Sequence, residues 1–555
     1  MNKYISLAVI ALTCSLPVLA QENSLQSRSL TVEGSYNPNT GHAGKMMPVP
    51  DRLMPERNAT IEAVYVKDTL PPVQHYRKSM TVFSESSNDV TYKPLLGFVS
   101  LGYGARNVLE GDAYLAWRMS DRDIIEADAN LDGFNSEVMD GWKSHRLAGD
   151  IRLDYTHFFD EVIIGATAEG GYSSRNFREG IDQRKMGSDS LNQQTNHTKM
   201  GVYVKSAPKN RIQWNVGASY QDLGRRGLIL GDIIPFNEEG IVRIQGDLSV
   251  PFQGGIASLG YRQKTTAYRW TGMRDRDCEY EDFSTFTLIP SWSRNWDRLK
   301  ISLGASLDAR TARGNVFMFS PKASLEYKVN DVLTLMTKAN GGLIDNSALS
   351  LAEISPYWSE DGQLRDGYVI ADLSGGLSLN AGGLFNLNAW AGYRDTYKDV
   401  FQVPDYEGQV VTSVLKQHNS YVFYAHTDMS FVPDSRFAIQ AWADGCSWVG
   451  KYGGGLLAYK PVMETGLFTR MGLTQALNAS LGYRFVEFSK VGNTTNIGNA
   501  RMNPVSDLTM RLDWDINDHW AAYLKGGHLM GCDWQCMAGY PEIGAFGLAG
   551  VKYTF

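Results

Sequence analysis

The sequence predicts an all-β protein, a transmembrane antiparallel β-barrel of about 22 strands. Three observations lead to this prediction. Apolar residues occupy every second position over most of the chain, which is the period of a strand with two different faces. No run of about 18 apolar residues follows the N-terminal segment, so the sequence offers no spanning helix. Short links alternate with long polar ones, as in barrels that have short periplasmic turns and long extracellular loops.

The first twenty residues, 1–20, have the three parts of a secretory signal peptide. Lys3 gives a positive start, Ile5 to Leu12 form an apolar run, and Ala20 ends a small-residue cleavage site. We therefore expect this segment to be removed on export. A lipoprotein signal with modification at Cys14 is the alternative, but Thr13 stands where that signal usually has a smaller residue.

Residues 21–92 are expected to form an extended, Pro-rich N-terminal periplasmic arm, with no full plug domain. The stretch contains six prolines, together with Asn-Pro and Pro-Pro turn signals. Only Leu30–Tyr36 and Ile61–Val66 have the pattern of short β segments. The barrel is expected to occupy residues 93–555.

Charged residues alternate with apolar ones along several predicted strands. Leu147, Ile151 and Leu153 share one face, for example, whereas most of their neighbours on the other face are charged. The interior of a soluble sandwich would tolerate few such charges, but a water-filled lumen accepts them. The candidate lumen-lining charges are Arg146, Asp150, Arg152, Asp154, Arg243, Asp247 and Arg262. Because both signs occur, we favour a wall of paired charges over a selectivity surface for a polar solute.

The long links are expected on the outer side, and the stretch 394–418 is one of them. Within it, Val400–Val403 and Val410–Val414 fit either a loop or an extra strand, and the strands within Leu456–Leu473 are also open. Tyrosines at the ends of strands that lead into long links predict an outer aromatic girdle, because the ring is apolar and the hydroxyl is polar. These tyrosines are Tyr172, Tyr220, Tyr261, Tyr393 and Tyr483.

The chain ends on a strand-like stretch whose last residue is aromatic. Val551, Tyr553 and Phe555 share one face, and small, polar or charged residues lie at most of the positions between the apolar ones. This row predicts a C-terminal signal that the barrel insertion machinery recognises.

Cysteine and histidine residues give few chemical signals. Cys532 and Cys536 are close enough in sequence to form a disulfide within one outer loop, or to remain as two thiols. His528 precedes them at helical spacing, but a metal site would need a further ligand. No G-x-S-x-G, HExxH or phosphate-binding loop motif occurs, so we expect no enzyme activity, no metal site and no cofactor.

A resemblance to a known family rests on two stretches. The segment SRSLTVEGSYNP, Ser27–Pro38, follows the signal peptide, and FVSLGYG, Phe98–Gly104, opens the predicted barrel after a Pro-rich arm. Together they resemble the plugless, TonB-dependent-receptor-like outer-membrane proteins of Bacteroidota. The resemblance implies an outer-membrane barrel of transporter size, with no defined ligand. True TonB-dependent transporters have a folded plug and a TonB-binding peptide, neither of which is evident in this arm.

Three functions follow as hypotheses. The first is transport across the outer membrane, with the lumen closed by the arm, by inward-folded loops or by a partner protein, because an empty lumen of this width would breach the membrane. The second is a non-conducting component of an outer-membrane assembly or export machine, and the third is a membrane enzyme. The expected partners are outer-membrane lipid, the insertion machinery and a surface or periplasmic protein. A net charge of −7 gives no footprint for nucleic acid.

Overall fold

The computed structural model describes most of the chain from residue 95 onwards and three short segments before it. The described residues are 27–32, 61–66, 78–80 and 95–555, without 139–141, 181–190, 228–235, 271–279, 312–316, 361–363, 382–383, 407, 409, 435, 451–459, 489–501 and 538. The predicted signal peptide and most of the predicted arm lie outside these residues, as does Cys278.

The described elements are almost all strands. They are β1 Ser27–Val32, β2 Ile61–Val66, β3 Lys78–Met80, β4 Leu95–Gly104, β5 Leu109–Arg118, β6 Asp123–Glu137, β7 Lys143–Phe158, β8 Val162–Asn176, β9 Asn192–Ser206, β10 Gln213–Arg226, β11 Glu238–Phe252, β12 Gly255–Arg269, β13 Phe283–Asn295, β14 Leu299–Arg310, β15 Phe317–Lys328, β16 Leu333–Ile344, β17 Trp358–Glu360, β18 Gly367–Ala381, β19 Phe385–Asp405, β20 Thr412–Asp434, β21 Phe437–Gly450, β22 Pro461–Gly472, β23 Leu477–Phe488, β24 Val505–Asp515, β25 Trp520–Gly527, β26 Gln535–Met537, β27 Tyr540–Pro541 and β28 Phe546–Thr554. A 3₁₀ turn covers Ala105–Asn107, and the α-helix α1 covers Ala348–Ile354.

Twenty-two of these strands close into one antiparallel barrel: β4 to β16, β18 to β25, and β28. The predicted fold class and strand number are therefore confirmed. The last strand closes the ring, because β28 pairs with β25 on one side and with β4 on the other. In this seam Val551 lies opposite Leu101, and the Phe555 amide donates to the Gly97 carbonyl at 3.1 Å. Strands β1, β2 and β3 form a separate three-stranded sheet.

The two faces of the barrel wall differ as the period of two predicts. On β7, the apolar side chains of Ile151 and Leu153 are 61% and 48% exposed on the outer surface, which suits a surface that faces hydrocarbon. Arg152, between them, lies on the inner face, where its guanidinium pairs with Asp154 at 2.7 Å. Within the part of the chain that the structure describes, no helix has the length and apolar character needed to cross a bilayer.

The connections at the two ends of the barrel differ in length. At one end the links are tight; between β11 and β12, for example, Gln253 and Gly254 both have positive φ values, 49° and 72°, as in a two-residue hairpin turn that matches the strand twist. At the other end the links are long, and one of them contains α1 and β17. The region Leu456–Leu473, which the sequence leaves open, contains one strand among its described residues, β22.

The stretch 394–418 corrects one expectation. We expected a long link there, but β19 and β20 run to 21 and 23 residues and form a long hairpin. β19 includes Val400–Val403, β20 begins at Thr412, and Val410 and Val411 lie in the tip between the two strands. The hairpin continues beyond the wall with the same period of two, so alternation alone does not show where the wall ends.

Candidate functional site

A buried cluster fills the end of the barrel that carries the long links, and we call this cluster the mouth seal. Its residues come from the ends of the wall strands on this side, from five of the long links, and from the tip of the β19–β20 hairpin. The members are Phe177, Leu191, Leu223, Phe236, Tyr268, Tyr280, Phe283, Ala348, Leu351, Tyr357, Trp358, Leu364, Val400, Val410, Val411, Leu415, Met537 and Tyr540. Burying this much apolar surface inside a ring of strands holds the links together.

Contacts in the mouth seal cross the barrel from one side to the other. Counted from β4, β8 is the fifth strand and β20 is the sixteenth, so the two lie eleven strands apart in a ring of 22. Nevertheless, the Val411 amide before β20 donates to the carbonyl of Arg178, just after β8, at 2.9 Å. The Tyr540 hydroxyl, from the link between β25 and β28, donates to the Val411 carbonyl at 2.6 Å. Three links from different sectors therefore meet over the lumen.

Two stacked tyrosines lie at this meeting point. The rings of Tyr357 and Tyr540 are 3.6 Å apart and nearly parallel, at 4°, and the Arg178 guanidinium donates to the Gly539 carbonyl at 2.9 Å. Burial raises the pKa of the Tyr357 hydroxyl to about 12 and the pKa of Tyr540 well above its ordinary value. Both hydroxyls therefore stay neutral at physiological pH.

The link between β16 and β18 is tied to the wall by ion pairs. Asp345 accepts from Lys264 at 2.9 Å and from Arg243 at 2.6 Å, and Lys264 also pairs with Asp366 at 2.6 Å. Burial alone would raise the pKa of Asp345, but these two cations outweigh it and hold that pKa well below its ordinary range. Glu239 accepts from the amide at the start of α1 at 2.8 Å. Both ends of the link are thus fixed to β11 and β12.

The hairpin of β19 and β20 reaches the mouth seal by bending. Its register shifts between Thr396 and Asp399, and Lys398 there has a φ of 55°. Beyond this bulge the hairpin is buried, with Phe401 and Leu415 at 1% and 0% exposure. β-Bulges bend strands in this way. The first residues of β20, Ser413–Leu415, pair in parallel with β17.

Each of the predicted lumen charges has a charged or titratable side chain close to it, on the wall or in a link. Arg146 pairs with Asp132 at 2.9 Å, and Arg262 pairs with Asp247 at 3.0 Å. Asp150 lies 3.4 Å from the imidazole of His197. The remaining pairs are Arg152 with Asp154 and Arg243 with Asp345. Their role as a lining of the lumen stays a prediction.

The predicted girdle tyrosines lie on strands that continue beyond them, which corrects their expected position at the strand ends. Tyr220 is 41% exposed on the outer face and donates to Asp222 at 3.2 Å, while β10 continues to Arg226. Tyr261 donates to Gln263 at 2.9 Å. A polar side chain follows each of these two rings on the same face, as expected where hydrocarbon gives way to headgroups. The girdle, with Tyr172, Tyr393 and Tyr483, stays a prediction.

The other predicted sites are placed only in part. Cys532 is exposed, and the side chain of Cys536 lies outside the described residues, so a disulfide between them stays a prediction. His528 is buried, with Nδ1 3.1 Å from Asp507 Oδ1, and its ring packs on Trp534 at 5.0 Å. Val551 and Tyr553 are 48% and 37% exposed on the outer face, and their role with Phe555 as an insertion signal also stays a prediction.

The sequence does not predict the mouth seal beyond the general expectation that loops fold inward. Its members are scattered over the links, and no short motif joins them. The one usable signal is the high aromatic content of those links, such as Tyr357-Trp358 in a stretch expected to be polar.

Comparison with known proteins identifies the fold. No protein-family model and no curated protein matches the chain. The siderophore receptor PirA from Acinetobacter baumannii is 10% identical, with a TM-score of 0.63 over 86% of this chain and 82% of that chain. The FrpB iron transporter from Neisseria meningitidis is 9% identical, with a TM-score of 0.64 over 89% and 87%. The copper transporter OprC is 12% identical, with a TM-score of 0.60 over 83% and 80%. The chain shares the fold of these receptors and transporters.

Proposed function

We propose that this chain is an outer-membrane transport barrel whose extracellular mouth is held shut by its own links until a solute arrives from outside. The observation that carries the proposal is the set of contacts between Arg178, Val411 and Tyr540, which join opposite sides of the ring across the lumen. Contacts that only stabilise the wall join neighbouring strands. Contacts that close the lumen have to join opposite sides of the ring, as these do.

The side chains of the inner wall are consistent with a water-filled passage below the mouth seal. Its ion pairs remain partly exposed; the side chains of Arg152 and Lys300 are 45% and 42% exposed, for example. Charges of this kind need water, because desolvating them without full compensation is costly. A hydrated lumen beneath an apolar closure is the arrangement of a gated passage.

The proposal extends to the family, the N-terminal arm and the insertion signal. The resemblance carried by Ser27–Pro38 favours the plugless, receptor-like proteins of Bacteroidota, and in that case residues 21–92 act at the periplasmic end without forming a folded plug. Val551, Tyr553 and Phe555 would guide insertion by the barrel assembly machinery. The names of similar structures mention siderophores, iron and copper, so the fold is compatible with several cargoes.

Conductance in planar bilayers tests the proposal. The wild-type protein is expected to be nearly silent, whereas Tyr540→Ala, which removes the stack on Tyr357 and the bond to Val411, is expected to open large, frequent channels. Tyr172→Ala, on the outer face, is the matched control and should stay silent. Heat-modifiable migration on gels reports whether each barrel is folded. A folded Tyr540→Ala protein that stays silent would contradict the proposal and favour a non-conducting assembly component.

A further inference from the structure

Two lysines on the inner wall differ from the paired charges around them. Lys322 on β15 donates to the Asn340 amide oxygen at 3.1 Å, and Lys338 on β16 is exposed to the lumen. Among the described residues, no ion pair within 4.0 Å is found for either ammonium group, whereas Lys264 and Arg262 nearby both have carboxylate partners. The two lysines therefore leave positive charge available to a solute.

Asp308, whose charge acts on Lys322, already accepts several hydrogen bonds. Asp308 accepts hydrogen bonds from the hydroxyls of Thr287, Ser306 and Tyr368, the last two both at 2.9 Å. Three hydroxyl donors share this carboxylate, and no ion pair within 4.0 Å joins it to Lys322 among the described residues.

The backbone leaves space beside these lysines. The register places Lys338 opposite Ser324, so Lys322 and Lys338 are diagonal neighbours, roughly 7–8 Å apart at their backbones. A register shift between Asn340 and Gly342 interrupts β16, and Gly342 has a φ of 134°, which favours glycine. A side chain at Gly342 would come within 3.9 Å of the Lys322 ammonium, so its absence keeps the approach open.

The facing wall differs in that its charges are paired. β5 is the second strand and β16 the thirteenth counted from β4, so they face each other across the ring. The inward carboxylates of β5 and β6 are Glu110, Asp112, Glu126, Asp128 and Asp132. Several of these carboxylates have cationic partners, such as Arg146 for Asp132 and Arg511 for Glu110, so the ammonium groups of Lys322 and Lys338 differ from them in having no ion-pair partner within 4.0 Å among the described residues.

We propose that Lys322, Lys338 and Asn340, the lysine patch, form an anion-binding site for a solute that carries carboxylate or phosphate groups. Two ammonium groups and an amide supply donors that such oxygens accept. This inference rests on the proposed transport function, since it assigns a charge class to the cargo.

Ion selectivity in the Tyr540→Ala background tests the lysine patch. In a KCl gradient the open barrel is expected to prefer chloride, and inorganic phosphate is expected to reduce the chloride current. Lys322→Gln with Lys338→Gln should weaken the phosphate effect roughly tenfold, at the low end of the local enrichment that a single-signed surface produces. Lys209→Gln, in a tight turn at the far end, is the control. Unchanged selectivity and phosphate sensitivity in the double variant would overturn the inference.

A second measurement separates this inference from the proposed function. If Tyr540→Ala does not conduct, the ³¹P line width of inorganic phosphate is measured with purified wild-type protein in detergent. Broadening that the lysine double variant abolishes supports the site without transport. Broadening that persists in the double variant, or no broadening at all, overturns the site.

Discussion

At the residue scale, Asp345 carries the attachment of one mouth link to the wall. Its carboxylate faces both Lys264 and Arg243. Replacing Asp345 by Asn keeps the volume but leaves two cations without their shared partner, which should destabilise the link by about 3 kcal/mol. We expect faster limited proteolysis within 345–366, with unchanged heat-modifiability of the barrel.

Asp331→Asn is the matched control for this prediction. Asp331 pairs with Lys328 in a tight turn and its side chain is 98% exposed, so its loss should be nearly neutral. Equal proteolysis of the two variants would contradict the role of Asp345.

The stacked tyrosines predict a dependence on alkaline pH. The pKa of Tyr357 is raised from 10.0 to about 12, so the neutral form stabilises the mouth seal fully below pH 10, and this contribution is lost as the pH rises towards 12. Conductance across a bilayer should therefore appear progressively over this range. In Tyr357→Phe the onset should move to higher pH, because one ionisable hydroxyl is gone. The same onset in both proteins would contradict this account.

Single residues also show what the sequence could predict. The inward face of Arg152 and the outward face of Leu153 follow from a period of two, which is a local property. The contact of Lys264 with Asp366 joins positions 102 apart. Such a pair depends on how a link folds back into the lumen, and alternation along a strand carries no information about it.

At the element scale, the bulge at Lys398 controls how the β19–β20 hairpin reaches the mouth. A φ of 55° is accessible to Lys but strained for a β-branched residue. Lys398→Val should therefore loosen the buried end of the hairpin by about 1–2 kcal/mol, and Lys398→Gly should not. Hydrogen exchange of amides in 400–405 and 412–417 measures the difference. Both variants remove the charge of Lys398, so they differ only in backbone strain and side-chain size. Equal exchange in the two variants would contradict the role of backbone strain.

The same hairpin marks the limit of element prediction. Alternation predicts the wall strands, since each wall strand has one face towards lipid. It does not predict β17, whose parallel pairing with β20 depends on a link of about twenty residues folding over the mouth.

At the scale of the whole molecule, closure of the ring depends on close packing at the seam of β4 and β28. A Cβ atom at Gly97 would overlap the carbonyl of Tyr114 and lie 2.9 Å from the ring of Phe555. Gly97→Ala should therefore reduce the yield of heat-modifiable barrel and lower its urea midpoint. Gly111→Ala, where the nearest atom would be 3.5 Å away, should behave as wild type. Equal midpoints would show that the seam tolerates the added methyl group.

The mouth seal joins opposite sectors of the ring, and this has a consequence for recognition at the cell surface. Arg178, Val411 and Tyr540 belong to three different links. An antibody or phage protein that binds one of these links therefore restrains the other two as well. With the proposed transport function, a single binder of this kind would block passage without covering the opening.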